Sequence, residues 1–216
     1  MDQKQIAATL KKLRESSQKR NFSQSVDFIV TFKDIDMKKT ENQLTIFANL
    51  PHSSGREIKV CALVGPEMKD EAKSADKIVL LDEFEKYKSN KKELKKLAND
   101  FDFFVAQANL MVQVAGAFGR VLGPKGKMPN PKAGCIVQPK TNLKPIFEKL
   151  KKSIRLVSRT TPMVQCSIAK EDMEETKIIE NVLAVYNQIL HALPQEKNNI
   201  KNVLLKLTMS KPVKVE

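Results

Sequence analysis

Three short and almost continuous apolar runs in the middle of the chain constrain its fold more than any other feature. Stretches with helical spacing separate these runs, and in chain order the six segments are residues 58–64, 66–75, 77–81, 83–99, 103–106 and 110–118. Apolar strands that alternate with helices are typical of a parallel sheet covered by helices on both faces. The sequence therefore predicts an α/β domain in this region.

Both ends of the chain follow a different pattern. Ile6, Leu10 and Leu13 share one face of a first amphipathic helix, and residues 178–190 have the spacing of a second. Strands of more mixed polarity accompany these helices at residues 26–32, 43–50, 154–158, 164–168 and 203–208. We therefore predict a split, discontinuous α+β first domain of residues 1–59 plus 153–216, with a second domain of residues 60–152 inserted into it.

The basic residues are concentrated in one segment. Of the formal net charge of +13, a net charge of +10 falls between Arg120 and Arg159, where eleven basic residues accompany one acid, Glu148. Such an excess indicates a polyanionic partner, a nucleic acid or a membrane surface, with a solvated lysine-rich surface as the alternative. A surface that serves solubility intersperses both signs, as residues 86–96 do. We interpret the basic segment as a steering field and a secondary contact surface.

Composition excludes several classes of protein. The cysteines Cys61, Cys135 and Cys166 are far apart and form no CxxC pair, so we expect neither a zinc site nor a disulfide framework. With two histidines in the chain, we expect no metal site and no cofactor. No apolar run follows Met1 or reaches the roughly 20 residues that a membrane span needs. We expect a soluble cytoplasmic protein without a membrane partner.

Residues 123–131, with two glycines and three prolines, form the most distinctive string. A phosphate-binding P-loop is excluded because Val121 and Met128 stand where that motif needs a glycine and a hydroxyl. The GxxG of residues 123–126 is similar to the backbone clamp of a KH domain, but Pro124 removes a donor there. We predict a rigid exposed loop that carries Lys125 and Lys127, either as an RNA contact or as a plain connector.

No enzyme emerges from the sequence. Residues 65–67, after the first apolar run, lack the glycines of a dinucleotide-binding fingerprint, and no nucleophile motif is present. Aromatic residues make up 6% of the chain without any Trp, too few for a row of base-stacking platforms. Contacts with a nucleic acid would then go to phosphates, 2′-hydroxyls and the shape of folded RNA.

The string Leu-Gly-Pro-Lys-Gly-Lys-Met-Pro-Asn-Pro-Lys-Ala-Gly at residues 122–134 resembles the signature of the L-one family of large-subunit ribosomal proteins. Three further motifs extend the resemblance over essentially the whole chain, at residues 20–25, 50–52 and 206–209. The Arg-Asn-Phe-x-Gln-Ser form of the first motif and the short N-terminus resemble archaeal more than bacterial members. The family builds the mobile stalk beside the tRNA exit site.

The resemblance implies a fold, a set of partners and no catalysis. It implies that a split α+β domain binds rRNA and that a Rossmann-like three-layer α/β domain is inserted into it, with the first hinge near residues 50–52. The implied partners are large-subunit rRNA at the stalk, exit-site tRNA and possibly the protein's own mRNA, whose translation it would repress. The protein would be a monomer within the ribosome.

Family contacts carry over to particular residues of this chain. The implied RNA-binding residues are Arg20, Phe22, Ser25, Asp27, Lys206, Thr208, Met209 and Ser210, and the secondary basic surface is Lys125, Lys127 and Lys132. Lys206 would contact phosphate, whereas Asp27 would accept hydrogen bonds from RNA hydroxyl or amino groups. Ser210 stands where the family usually has glycine. Purely structural roles remain open, with Phe22 as a staple over the core and Met209 as a hydrophobic cap.

Two other functions remain as alternatives. One is a non-ribosomal RNA or DNA chaperone that acts by charge alone, and the other is an enzyme that uses the Rossmann-like domain. The first differs from a specific rRNA binder in its salt dependence, because the affinity of a charge-only binder falls with the number of phosphates that it neutralises.

Overall fold

The structure, a computed structural model, describes residues 1–39, 42–139 and 141–215. The chain divides into two compact units, a first unit of Met1–Arg56 with Lys152–Glu216 and a second unit of Glu57–Lys151. In chain order the helices and strands are α1 Gln3–Ser16, β1 Ser25–Phe32, β2 Leu44–Asn49, β3 Val60–Val64, β4 Lys77–Leu80, α2 Phe84–Ser89, α3 Lys91–Asp100, β5 Phe103–Gln107, α4 Met111–Lys125, β6 Ile136–Val137, α5 Lys144–Lys151, β7 Ser153–Ser158, β8 Met163–Lys170, α6 Glu175–Ala192, β9 Ile200–Leu207 and β10 Val213–Lys214. The predicted mixture of helices and several sheets is confirmed.

The first unit is built on antiparallel strands. One sheet has the order β10-β9-β1-β8, and β2 pairs with β7 in a separate two-stranded sheet. Along β1 the buried Phe28 and Val30 alternate with residues of the opposite face, as the period of two requires. The buried faces of α1 and α6 join the strands in one hydrophobic core. A polar anchor, Asn181 of α6, is fully buried and donates to the carbonyls of His52 and Ile168.

The second unit contains a parallel sheet of order β4-β3-β5-β6. Strand β3 is buried along its whole length, which explains why its sequence is apolar without alternation. Strands and helices of this unit share a hydrophobic core of their own. The predicted helix at residues 83–99 is two helices, because Asn90 ends α2 and its side chain then accepts the N–H groups of Lys92 and Glu93 at the start of α3.

Two sequence predictions in the second unit are wrong. Residues 66–75 form two single 3₁₀ turns, Pro66–Met68 and Glu71–Ser74, rather than one helix. Only Met68 and Ala72 are buried in these turns, and so small an apolar face does little to stabilise a longer helix. Residues 123–125 belong to the last turn of α4 rather than to a loop.

The end of α4 explains why the glycines and prolines of this string do not make a loop of residues 123–125. Gly126 adopts a left-handed conformation with φ of 65° and donates its N–H to the carbonyl of Gly123 at 2.8 Å, while the N–H of Lys127 donates to the carbonyl of Leu122 at 2.9 Å. These two bonds are the Schellman motif that commonly ends a helix at a glycine. Part of the family signature is therefore a helix C-terminus.

Candidate functional site

The start of β1 and the end of β9 lie side by side, although they stand at opposite ends of the chain. The antiparallel register places Val26 opposite Leu207 and Asp27 opposite Lys206. This arrangement brings together two of the segments predicted to bind RNA. We call residues 20–27 and 206–210 the β1–β9 site.

Thr208 joins the two segments beyond the last backbone pair. Its Oγ1 accepts the N–H of Ser25 at 3.0 Å, and its hydroxyl donates to the carbonyl of Ser25 at 3.4 Å. A side chain thus extends the backbone ladder by one residue on each strand. Any ligand at this end of the sheet meets one continuous surface rather than two loose segments.

Asp27 and Lys206 put opposite charges next to each other on the face of the sheet away from the core. Burial raises the pKa of the Asp27 carboxyl above its usual value, and the neighbouring Lys206 opposes that shift in part. The Lys206 ammonium donates to the carbonyl of Thr208 at 3.2 Å. Across the other edge of β1, the partner of Asp27 is Ser167, and the β1–β8 register shifts between Val26 and Asp27. Such irregularities are frequent beside functional sites, where they redirect side chains.

Phe22 and Met209 give the site an apolar surface. Phe22 is 52% exposed and Met209 is 61% exposed, and of the described residues one other large apolar side chain, Val112 in the second unit, is exposed to this degree. Neither Phe22 nor Met209 belongs to the core of the first unit. This exposure counts against the alternatives in which Phe22 staples the core and Met209 caps it.

Ser210 fits the turn after β9 without strain. Among the described residues the non-glycine residues with positive φ are Asp34 and Glu196, so Ser210 occupies ordinary backbone space. Its Oγ accepts the N–H of Leu207 at 2.8 Å, and its own N–H donates to the carbonyl of Leu207 at 3.1 Å. The hydroxyl therefore bonds to its own chain, and the turn accepts a serine side chain where the resemblance implies a glycine.

Two further residues of the β1–β9 site, Arg20 and Gln24, differ in their burial. Arg20 is exposed in the segment between α1 and β1. Gln24 is only 1% exposed, and its Oε1 accepts the N–H of Met209 at 3.1 Å. Gln24 lies within the motif at residues 20–25, but no sequence pattern predicts its role, because its partner lies 185 positions away.

The three lysines of the predicted secondary surface have different environments. The ammonium of Lys127 donates to the carbonyls of Ala98 at 2.9 Å and of Phe101 at 2.6 Å, and that of Lys125 donates to Asn99 Oδ1. Both lysines therefore serve the C-terminal end of α3. Lys132 is exposed in the 3₁₀ turn Pro131–Ala133.

The carboxyl ends of β3 and β5 form the place where open α/β sheets bind ligands, and here protein side chains occupy it. Gln107 is fully buried, with its Oε1 accepting the N–H of Gly65 at 3.1 Å and its Nε2 donating to Glu67 Oε1 at 2.9 Å. The bond from Gln107 is the largest cause that lowers the pKa of Glu67. No sequence pattern predicts this pair, and an ionised carboxylate there disfavours a phosphate.

The described residues hold neither a cluster of metal-ligating side chains nor a membrane-spanning helix. No group of three or more metal-ligating side chains is present in residues 1–39, 42–139 and 141–215. Within the same part of the chain, no helix combines the length and the apolar character that crossing a bilayer requires.

Comparison with known proteins identifies the relatives of this chain. The model of the Ribosomal protein L1p/L10e family matches residues 11–211. Two relatives named large ribosomal subunit protein uL1 are 38% identical over 215 residues in Methanothermobacter thermautotrophicus (99% of each chain) and 37% identical over 217 residues in Thermococcus kodakarensis (100% of this chain and 98% of the relative). The protein of the same name from Methanocaldococcus jannaschii is 38% identical over 220 residues, which cover 100% of this chain and 97% of the relative.

These findings confirm the resemblance to archaeal members. They also confirm that the chain is not an enzyme, since the family consists of structural proteins of the ribosome. The match spans both compact units and all four motifs of the sequence, so the chain belongs to the Ribosomal protein L1p/L10e family.

Proposed function

We propose that this protein is a constituent of the large ribosomal subunit, located in the cytoplasm, and that it binds large-subunit rRNA through the β1–β9 site. Its relatives over the full length are named as proteins of the large ribosomal subunit. The observation that carries the assignment to this site is the pairing of two distant segments into one surface, held by the Ser25–Thr208 hydrogen bonds.

Each side chain of the site supplies a different kind of contact. Phe22 and Met209, both exposed, offer an apolar surface on which a base can stack or pack. Asp27 accepts hydrogen bonds from ribose hydroxyls or base amino groups, and Lys206 meets a phosphate. Such a mixture discriminates between RNAs, whereas ammonium groups alone would neutralise any backbone.

The finer role follows the family resemblance. We assign rRNA binding to the first unit, with the second, Rossmann-like unit as an inserted domain, and we place the protein at the stalk beside the exit site. There it would assist release of deacylated tRNA as a monomer, and it would repress translation of its own mRNA by binding an rRNA-like structure. The exposed Lys132 is a candidate for a secondary contact with the phosphate backbone of the RNA.

The experiment compares binding of the full chain to a stalk rRNA fragment and to random RNA of equal length. Phe22→Ala and Met209→Ala should each weaken binding to the stalk fragment by about 5- to 150-fold, the equivalent of the roughly 1–3 kcal/mol of a stacked base. Val112→Ala is the control, because it removes an exposed apolar side chain, 84% exposed, from the second unit and should leave affinity unchanged.

Salt titration of the same two complexes tests the charge-driven chaperone. A charge-only binder loses affinity with log[salt] in proportion to the phosphates that it contacts. If binding of the stalk fragment falls no less steeply than binding of random RNA, the specific site is wrong. Copurification with large ribosomal subunits tests the ribosomal role independently of the residues chosen.

A further inference from the structure

Gln24 ties three segments together at the β1–β9 site. Its Oε1 accepts the N–H of Met209 in the turn after β9, and its main-chain carbonyl accepts the N–H of Glu171, which follows β8, at 2.8 Å. With 1% of its surface exposed, Gln24 is far more buried than Phe22 and Met209 of the same site. The position of the Met209 backbone therefore depends on this amide.

The other half of the amide is not used by the protein. Among the described residues no hydrogen bond involves Gln24 Nε2, and this nitrogen does not belong to the fully buried polar atoms that lack a partner. Nε2 is therefore not completely covered, although the residue as a whole is 1% exposed. Because both amide atoms share one carbon, this nitrogen lies next to the backbone of Met209. A primary amide carries two N–H donors, and neither finds an acceptor among the described residues.

Burying an amide is costly unless its polar atoms find partners. Within the protein Gln24 recovers one side-chain bond, through Oε1, while a methionine would fill a similar volume without any polar group to satisfy. A ligand oxygen that accepts a hydrogen bond from Nε2 would satisfy the other half of the Gln24 amide. Since Nε2 donates and does not accept, it fits an oxygen that only accepts, and an anionic phosphate oxygen of RNA makes the strongest hydrogen bond of this kind.

We propose that Gln24 is an RNA-binding residue of the β1–β9 site, in which Oε1 positions Met209 and Nε2 donates to a phosphate oxygen of the rRNA. This inference rests on the proposed rRNA binding. It adds a buried, neutral phosphate contact to a surface whose other contacts are exposed. Such a contact is fixed in place before RNA arrives, so it costs little conformational entropy on binding.

The decisive variant is Gln24→Glu. It keeps an acceptor for the Met209 N–H but replaces the donating nitrogen by an anionic oxygen that repels phosphate. We expect unchanged protection of the Met209 amide in hydrogen exchange and an affinity for the stalk rRNA fragment that is lower by about tenfold or more, the scale of one hydrogen bond to a charged acceptor. Gln24→Met removes both halves of the amide and should lose the amide protection as well as the affinity.

Gln188→Glu is the control for added charge. Gln188 lies on α6 of the same unit and donates to the carbonyl of Asn49 at 3.2 Å, so the same substitution there should leave RNA affinity unchanged. Wild-type protein that fails to prefer the stalk fragment over random RNA would refute the proposed function itself. If the wild type prefers it and Gln24→Glu binds equally well, donation by Nε2 is refuted. Should Gln24→Glu fail to fold, Gln24→Met decides: wild-type affinity refutes the inference, and a loss supports it.

Discussion

Lys127 offers a direct test of how the family signature is used. Its ammonium bridges the carbonyls of Ala98 and Phe101 at the C-terminal end of α3, where the helix leaves carbonyl groups without partners inside the helix. Lys127→Met keeps an apolar stem that reaches as far as the lysine Cε and removes the ammonium with its charge and hydrogen bonds. The structure predicts that this change destabilises the second unit without weakening RNA binding by the folded protein.

The magnitude follows from the two bonds that are lost. A hydrogen bond with a charged donor contributes about 1.5–3 kcal/mol, and a cation at a helix C-terminus adds about 0.3–1 kcal/mol. The site is only partly buried, so water replaces some of this when the lysine is removed. We expect a loss of about 2–4 kcal/mol in the free energy of unfolding of the second unit.

The assay must resolve the two units, because each has its own hydrophobic core and a single unfolding transition is not assured. Hydrogen exchange of the Phe101 amide, which donates to the carbonyl of Leu97 at 3.3 Å, reports on the end of α3. Lys132→Met is the matched control, an exposed lysine from the same signature that should change stability by no more than about 0.5 kcal/mol. Unchanged stability together with weaker RNA binding in Lys127→Met would refute the structural role and support an RNA contact instead.

Three further predictions concern the charge of Asp27, the buried amide of Gln107 and the unit that binds rRNA. Burial raises the pKa of Asp27, so its carboxylate is less stable in the folded protein than in the unfolded chain. Asp27→Asn should therefore raise the free energy of unfolding at pH values above the folded-state pKa. In urea unfolding this gain should vanish as the pH falls below the usual pKa of 3.8. A gain that is independent of pH would contradict this. Gln107→Leu leaves the N–H of Gly65 unsatisfied and should cost about 2–3 kcal/mol in thermal or urea unfolding, whereas Gln113→Leu on the exposed side of α4 should cost little. Joining Arg56 to Lys152 by a flexible linker removes the second unit and should preserve binding of the stalk fragment; a folded protein of this kind that does not bind would overturn the assignment of rRNA binding to the first unit.

Periodicity predicted most of the regular structure because most elements have one clear face. The first helix buries Ile6, Leu10 and Leu13 as its spacing indicates, and the apolar run of β3 is buried throughout. Strands β6 and β10 have two residues each, too few to show any period. Helix α5 was missed because its short sequence stands among the lysines of the basic segment.

The candidate site was harder to predict from physical patterns. No periodicity reveals that Ser25 and Thr208 bond to each other across 183 positions, so only the family resemblance brought the two segments together. The buried amides of Gln24, Gln107 and Asn181 were missed for the same reason: each is paired with a group distant in sequence. The burial and the hydrogen-bond partner of a polar side chain depend on the tertiary structure, so the sequence pattern around it does not predict them.

The distribution of charge separates attraction from recognition. Of the eleven basic residues between Arg120 and Arg159, eight belong to the second unit. Among the described ones, Lys127 is bonded to helix carbonyls and Lys151 lies 3.6 Å from Asp76. The β1–β9 site, by contrast, pairs Lys206 with Asp27 in register and presents mainly neutral groups. Exposed charge is screened within about 10 Å at moderate salt, whereas a neutral surface of fixed donors, acceptors and apolar side chains is not. Affinity that survives added salt must therefore come from the neutral surface, whereas the basic segment contributes steering and secondary contacts that salt weakens.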